Sequence, residues 1–166
     1  MVKNLLVIDD DNITGLLIKL SVTKHRFADQ VTTLTNGKEG IMYFEKLVSH
    51  GEGPAPDLIF LDLTMPVMDG WDFLEDYSRR FEFLFPQTSI CLLSAAVFPQ
   101  QQRRASAYSS IVAFLSKPIR ISEIEVLKKH ESLKHHFAMP ATVDYAVPSS
   151  IDYSSQSPAP ARLAAY

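Results

Sequence analysis

The segment DLIFLDLTMPVMDGWDFL, residues 57–74, decides the fold. Its first part, DLIFLD, is a short unbroken apolar run between acids, which is typical of a strand that is buried on both faces of a parallel sheet. The Asp69-Gly70 pair is a turn signal. Apolar residues then recur at helical spacing at Phe73, Tyr77, Phe81 and Leu84. The pattern predicts a strand, a turn and a helix that begins near residue 69.

Four more short apolar runs, at residues 4–8, 31–35, 88–94 and 111–116, alternate with amphipathic stretches. Helices are predicted over 12–26, 38–50, 99–110 and 120–137. The first carries one apolar face of the kind that packs on a core, made of Ile13, Leu16, Leu17 and Leu20. The helix over 99–110 is the weakest, since it has little apolar face beyond Ala105 and Tyr108.

Strict alternation of strands and helices predicts an α/β fold, a doubly wound five-stranded parallel sheet with helices on both faces. This domain is predicted to occupy residues 1–138. Residues 139–166 differ in composition, because 15 of the 27 residues from Pro140 to Tyr166 are Pro, Ser or Ala. They are predicted to form a flexible or loosely docked tail.

Composition narrows the class of protein. A net charge of −3 argues against a nucleic-acid surface, which needs clustered positive charge. No apolar run approaches the roughly 20 residues that cross a bilayer, so no membrane segment is expected. The single cysteine, Cys91, cannot form an intrachain disulfide, which suits a reducing cytoplasm.

Polar residues follow the predicted strands at the same end of each. Asp9 and Asp10 follow strand one, Asp62 ends strand three, Ser94 ends strand four and Lys117 follows strand five. Ligands of open parallel sheets bind beyond these carboxyl ends. If the strand order is 2-1-3-4-5, Asp62 lies between the acid pair and Ser94, and Lys117 reaches it only by leaning over strand four.

Three crowded carboxylates favour either protonation or a bound cation, and an oxygen-only ligand set favours Mg²⁺ over zinc. With Mg²⁺ and Lys117 balancing the charge, one carboxylate could attack a phosphoryl group and form an aspartyl phosphate. Each residue also has an ordinary explanation. Acids at a strand-to-helix junction are common caps, and a Lys-Pro pair commonly belongs to a loop.

At these positions the sequence resembles the receiver domain of bacterial two-component response regulators. The matching segments are LLVIDDD, DLIFLDLTMPVMDGWDFL, ICLLSA and AFLSKPI, and they extend over residues 4–121. The resemblance implies a flavodoxin-like fold with strand order 2-1-3-4-5. It implies a stand-alone receiver that is phosphorylated by a histidine kinase or a histidine phosphotransfer protein, and that signals through protein contacts.

The resemblance also implies a role for each matching residue. Asp62 is the phosphoacceptor, Ser94 the switch hydroxyl, Lys117 the phosphoryl contact and Phe114 the switch aromatic. Mg²⁺ would be held by Asp9, Asp10, Asp62 and the backbone carbonyl of Thr64. The Lys117-Pro118 bond is expected to be cis. The expected partner surface is the face of helix four, strand five and helix five, in a monomer or a phosphorylation-dependent dimer.

Two other functions stay open. A haloacid-dehalogenase-type phosphatase also forms an aspartyl phosphate after a strand, but it needs a second Asp two positions later, where this chain has Thr64. A degenerate receiver would bind partners without taking phosphate, although the full set of site residues weighs against it.

Overall fold

The computed structural model describes residues 1–51, 53–96 and 98–138. The predicted tail, 139–166, lies outside the described residues, so its boundary stays a prediction.

A five-stranded parallel sheet in the order β2-β1-β3-β4-β5 forms the centre of the domain. The strands are β1 (Val2–Ile8), β2 (Ala28–Leu34), β3 (Leu58–Asp62), β4 (Ser89–Ser94) and β5 (Ile111–Ser116). The helices are α1 (Asn12–Lys24), α2 (Gly37–His50), α3 (Gly70–Arg80), α4 (Pro99–Ala105), α5 (Ile121–Lys128) and α6 (Lys134–Phe137). The predicted doubly wound α/β fold is confirmed.

Two hydrophobic cores lie on opposite faces of the sheet. Every residue of β3 is buried, and its side chains alternate, with Ile59 and Leu61 in one core and Leu58 and Phe60 in the other. The first core also takes apolar residues of α2 and α3, and the second takes those of α1 and α5. This double burial explains why the strands are unbroken apolar runs.

The predicted inward face of α1 is wrong. Ile13, Leu16, Leu17 and Leu20 are exposed by 69, 57, 55 and 59%. The buried residues of the helix are Gly15, Ile18 and Val22. A Cβ at Gly15 would lie 3.6 Å from the Thr33 side chain, an ordinary van der Waals distance, so this residue faces β2 with room for a methyl group. The helix therefore packs through its smaller residues and leaves the larger aliphatic face outside.

Two other helices are shorter than predicted. α4 ends at Ala105, its one buried residue, because the residues up to 110 turn back toward β5. The predicted helix over 120–137 is two helices, α5 and α6, with the buried Leu133 in the turn between them. Arg120 is the N-cap residue of α5, although Ser122 is the residue of this stretch that favours a cap in sequence.

Gly70 couples the start of α3 to the end of β3. A Cβ at this position would lie 2.3 Å from the carbonyl oxygen of Asp62 and 2.9 Å from the Cα of Leu63. Such distances cannot be accommodated without moving backbone, so only glycine allows the helix to begin this close to the strand end.

We predict that Gly70→Ala destabilises the fold by about 2 kcal/mol or more, because the added methyl group meets backbone atoms. The matched control is Gly15→Ala, another buried helical glycine, where the methyl group has room and a helix favours alanine by about 0.5–1 kcal/mol. Urea unfolding of both variants measures the difference. Equal stabilities would contradict the steric role of Gly70.

Candidate functional site

Three carboxylates meet at the carboxyl edge of the sheet. Asp9, Asp10 and Asp62 each place one carboxylate oxygen so that all three atoms lie within 4.8 Å of one another. Asp9 and Asp62 are buried, whereas Asp10 is exposed. The pairing of Ile8 with Leu61 in adjacent strands brings the residues that follow them to the same level.

Lys117 joins the two buried carboxylates. Its Nζ lies 2.6 Å from Asp62 Oδ2 and 2.7 Å from Asp9 Oδ2. The lysine follows β5 and reaches across β4 to do so, as the strand order required. Its backbone N–H donates to the carbonyl oxygen of Ser94 at 3.1 Å, and the Lys117-Pro118 bond is cis, as predicted.

Burial and ion pairing shift the pKa values of this pair. Burial raises the pKa of the Asp9 carboxyl, and the nearby Lys117 offsets only part of that rise. Burial alone would lower the pKa of Lys117, but its hydrogen bonds to Asp62 and Asp9 outweigh it, so the pKa of the ammonium group is raised. Lys117 is therefore charged at neutral pH.

The donor set fits a hard divalent cation. All three groups that converge are carboxylates, and the exposed Asp10 leaves one side open to water. Among the described residues, the one partner of Asp9 Oδ2 is the Lys117 ammonium, so this oxygen has a further lone pair to offer. Oxygen ligands with room for water suit Mg²⁺. The Thr64 N–H donates to Asp62 Oδ1 at 3.2 Å, and the use of its carbonyl as a ligand stays a prediction.

Asp11, the third acid of the opening run, lies outside this cluster. Its side chain caps α1, accepting hydrogen bonds from the Ile13 N–H at 2.9 Å and the Thr14 hydroxyl at 2.7 Å. The hydrogen bonds from Thr14 and Ile13 lower the pKa of the Asp11 carboxyl. One of the three adjacent acids is thus a helix cap, and the other two converge with Asp62.

Ser94 and Phe114 lie on β4 and β5, the two strands on the Lys117 side of Asp62. Asp62 pairs with Leu93, so Ser94 is the next residue along β4. Its hydroxyl donates to the carbonyl oxygen of Ala96 at 2.6 Å. Phe114 pairs with Leu92 and is partly buried against the core that contains α2 and α3.

The sequence did not point to Glu123, which supports the segment that carries Lys117. Its carboxylate accepts hydrogen bonds from the Ser116 N–H at 2.9 Å and from the Arg120 N–H at 2.8 Å. Burial would raise the pKa of Glu123, but hydrogen bonds from Ser116 and Arg120 outweigh it, so the pKa is lowered. A Glu three residues after a helix cap is a known signal, but the cap here is Arg120 rather than Ser or Thr.

The contact between Arg104 and Trp71 also had no sequence signal. The Arg104 guanidinium lies 4.5 Å from the centre of the Trp71 ring, which connects α4 to the first turn of α3. Since Ala105 is the buried residue of α4, this cation–π contact is one of few that hold the helix in place.

Comparison with known proteins places the chain among signalling domains. Residues 5–128 match the family model described as the response regulator receiver domain. The chemotaxis protein CheY of Thermotoga maritima is 27% identical over 134 residues, which are 78% of this chain and 98% of that protein. Hybrid signal transduction histidine kinase L of Dictyostelium discoideum is 29% identical over 79% of this chain, a match that spans only 7% of that kinase.

Solved structures agree with this result. A two-component response regulator from Cytophaga hutchinsonii superimposes with a TM-score of 0.71 at 25% identity, covering 80% of this chain and 98% of that one. The bacteriophytochrome response regulator AtBRR superimposes with a TM-score of 0.67 at 20% identity, covering 85% and 99%. At 20% identity, the similarity to AtBRR shows a shared fold and nothing beyond it.

We predict that Asp9→Asn raises the free energy of unfolding by about 1 kcal/mol at pH 7 without divalent cations, because it removes a buried negative charge from a crowded site. The pKa of Asp9 is raised in the folded state, so its charged form opposes folding. The gain should therefore shrink as the pH falls toward the ordinary value of 3.8. Urea unfolding in EDTA at pH 7 and at pH 4 measures the gain in stability and its decrease with pH. Destabilisation at pH 7 would contradict the argument, and Asp10→Asn, at the exposed acid, should change less.

Proposed function

The chain belongs to the response regulator receiver domain family, and we propose that Asp62 is the residue on which it accepts a phosphoryl group. Receiver domains act in phosphorylation-activated two-component signalling. One observation carries the assignment. Asp62 ends the central strand β3, between the acids that follow β1 and the Ser94 that ends β4, and its carboxylate lies 2.6 Å from the Lys117 ammonium.

The surrounding groups suit this chemistry. An oxygen of the Asp62 carboxylate attacks the phosphorus atom of the donor. The bond between phosphorus and the donor atom breaks, the donor leaves with that electron pair, and Asp62 becomes an acyl phosphate. The Lys117 ammonium contacts the Asp62 carboxylate, so it would balance the negative charge of a phosphoryl group attached there. Mg²⁺, which we propose is held by Asp9, Asp10, Asp62 and the Thr64 carbonyl, would neutralise charge on the phosphoryl group when bound.

The proposed donor is a histidine kinase or a histidine phosphotransfer protein, partners that the receiver family shares. We propose a signalling role without substrate turnover, in the cytoplasm. The family match does not favour the phosphatase alternative, and Thr64 stands where a phosphatase of that type needs its second Asp. In the described part of the chain, no helix is long and apolar enough to cross a membrane.

The proposed output begins at Ser94. Its hydroxyl now donates to the neutral carbonyl of Ala96, whereas a phosphoryl group on Asp62 would offer a charged and stronger acceptor. Turning toward it would release the 95–96 segment and open space that Phe114 could fill. α4 has few anchors, Ala105 and the Arg104–Trp71 contact, so it can be repositioned.

We therefore propose that the partner surface is the face of α4, β5 and α5, in a monomer or a phosphorylation-dependent dimer. The face is a two-state element, because its resting contacts and its contacts with phosphate exclude each other at Ser94.

Asp62→Asn should abolish phosphorylation by acetyl phosphate with Mg²⁺ while leaving the domain folded, since the amide cannot act as the nucleophile. The matched control is Asp29→Asn, which removes an exposed acid from β2 and should incorporate one phosphoryl group like the wild type. Intact-protein mass spectrometry measures the label. Normal labelling of Asp62→Asn would contradict the assignment, and an unlabelled wild type would favour the degenerate receiver.

Ser94→Ala should still accept phosphate at Asp62 but lose most of the change at α4, because the hydroxyl that links them is gone. Hydrogen exchange over 98–120 with beryllofluoride and Mg²⁺ measures the change. Fluorescence of Trp71, the chain's one tryptophan, gives an independent reading, since Arg104 of α4 lies over its ring. An unchanged response in Ser94→Ala would exclude this route.

A further inference from the structure

The aliphatic face of α1 is exposed. Four large side chains, Ile13, Leu16, Leu17 and Leu20, form one continuous stripe at helical spacing, each more than half exposed. Lys24 continues the stripe at i+4 from Leu20, and its side chain forms no ion pair with the described residues. We call this surface, Ile13 to Lys24, the α1 stripe. A continuous apolar surface of this kind, exposed to water, indicates a site that another segment or molecule covers.

The last described residues lie near the lysine end of the α1 stripe. The Phe137 ring packs on Phe27 with ring centres 5.3 Å apart, and Phe27 is three residues after the end of α1. The chain then continues from Ala138 for 28 residues, 139–166. At up to about 3.5 Å per residue, the first ten of these could pass along the whole helix, which is roughly 20 Å long.

The sequence of this segment matches the α1 stripe in chemistry. It contains the same three-residue pattern twice, Val143-Asp144-Tyr145 and Ile151-Asp152-Tyr153, in which an acid lies between a β-branched residue and a tyrosine. Its other charged side chain is Arg162. The apolar residues suit the leucines, and the acids suit Lys24 and the neighbouring exposed Lys19.

The area of the α1 stripe favours a tethered segment over a second copy of the chain. Four aliphatic side chains of a 13-residue helix present much less than the roughly 800 Å² per partner that a stable complex buries. A segment of the same chain needs less area, since tethering gives it a local concentration that can reach millimolar values.

We propose that residues 143–153 dock on the α1 stripe, with Asp144 opposite Lys24 and the aliphatic and tyrosine side chains on the leucines. α1 begins two residues after Asp10, so the α1 stripe starts close to the carboxylate cluster. The docking itself does not rest on the proposed function of Asp62.

A spin label in the full chain tests the docking. Cys91 is fully buried, so a nitroxide attached to Ser149→Cys labels one site. We expect at least a twofold loss of NMR intensity for the amides of α1, and its recovery when Leu17→Ser and Leu20→Ser remove exposed leucines of the stripe. Unchanged intensities in α1, or losses at another surface, would overturn the proposal.

A charge exchange tests the orientation. Lys24→Glu should relieve the intensity loss, and Lys24→Glu combined with Asp144→Lys should restore it. Failure of the restoration would refute the assigned pair. The control is a mixture of spin-labelled chain without isotopes and isotope-enriched chain without the spin label. Intensity loss in that mixture would show that the segment docks on a second copy of the chain, and would contradict docking within one chain.

The same samples separate this proposal from the function of Asp62. Beryllofluoride with Mg²⁺ should shift the amides around Asp62 in every variant, because none of the substitutions lies in the carboxylate cluster. Absence of that shift would contradict the proposed function and leave the docking result standing.

Discussion

The ammonium group of Lys117 lies between two buried carboxylates, 2.7 Å from Asp9 and 2.6 Å from Asp62, and the carboxyl edge of the sheet is built around this contact. Buried charges are costly unless they are paired, so the lysine compensates for two acids that would otherwise repel each other. Because Lys117 follows β5 while the acids follow β1 and β3, the same contact joins the ends of three strands.

The position of Lys117 depends in turn on hydrogen bonds made by the backbone of its own segment. Its backbone is held by the Ser94 carbonyl, and the preceding Ser116 is held by Glu123. Ser94 therefore contributes to the site twice, through its carbonyl to the lysine segment and through its hydroxyl to the Ala96 carbonyl. This is the residue through which we propose that a change at Asp62 reaches β5 and α4.

The site could be expected from the sequence because topology alone brings strand ends together. In a parallel sheet every carboxyl end lies at one edge, so Asp9, Asp62, Ser94 and Lys117 are near one another whatever the details of packing. The packing of α1 could not be expected in the same way. Its larger apolar stripe is exposed, because the helix packs on the sheet through Gly15, Ile18 and Val22 instead.

The sequence by itself determined the alternation of strands and helices, the parallel sheet and the edge at which the polar residues meet, since apolar runs and chain order carry that information. Only the tertiary structure decided that Asp11 is a helix cap while Asp9 and Asp10 converge with Asp62, that Glu123 supports the lysine segment and that Arg104 covers Trp71. The convergence with Asp62 and the Arg104–Trp71 contact depend on distances between residues far apart in the chain. The roles of Asp11 and Glu123 depend on the local turn that the folded chain adopts before each helix. Hydrophobic periodicity indicates which face of a helix can be buried, but not which face the neighbouring elements leave room for.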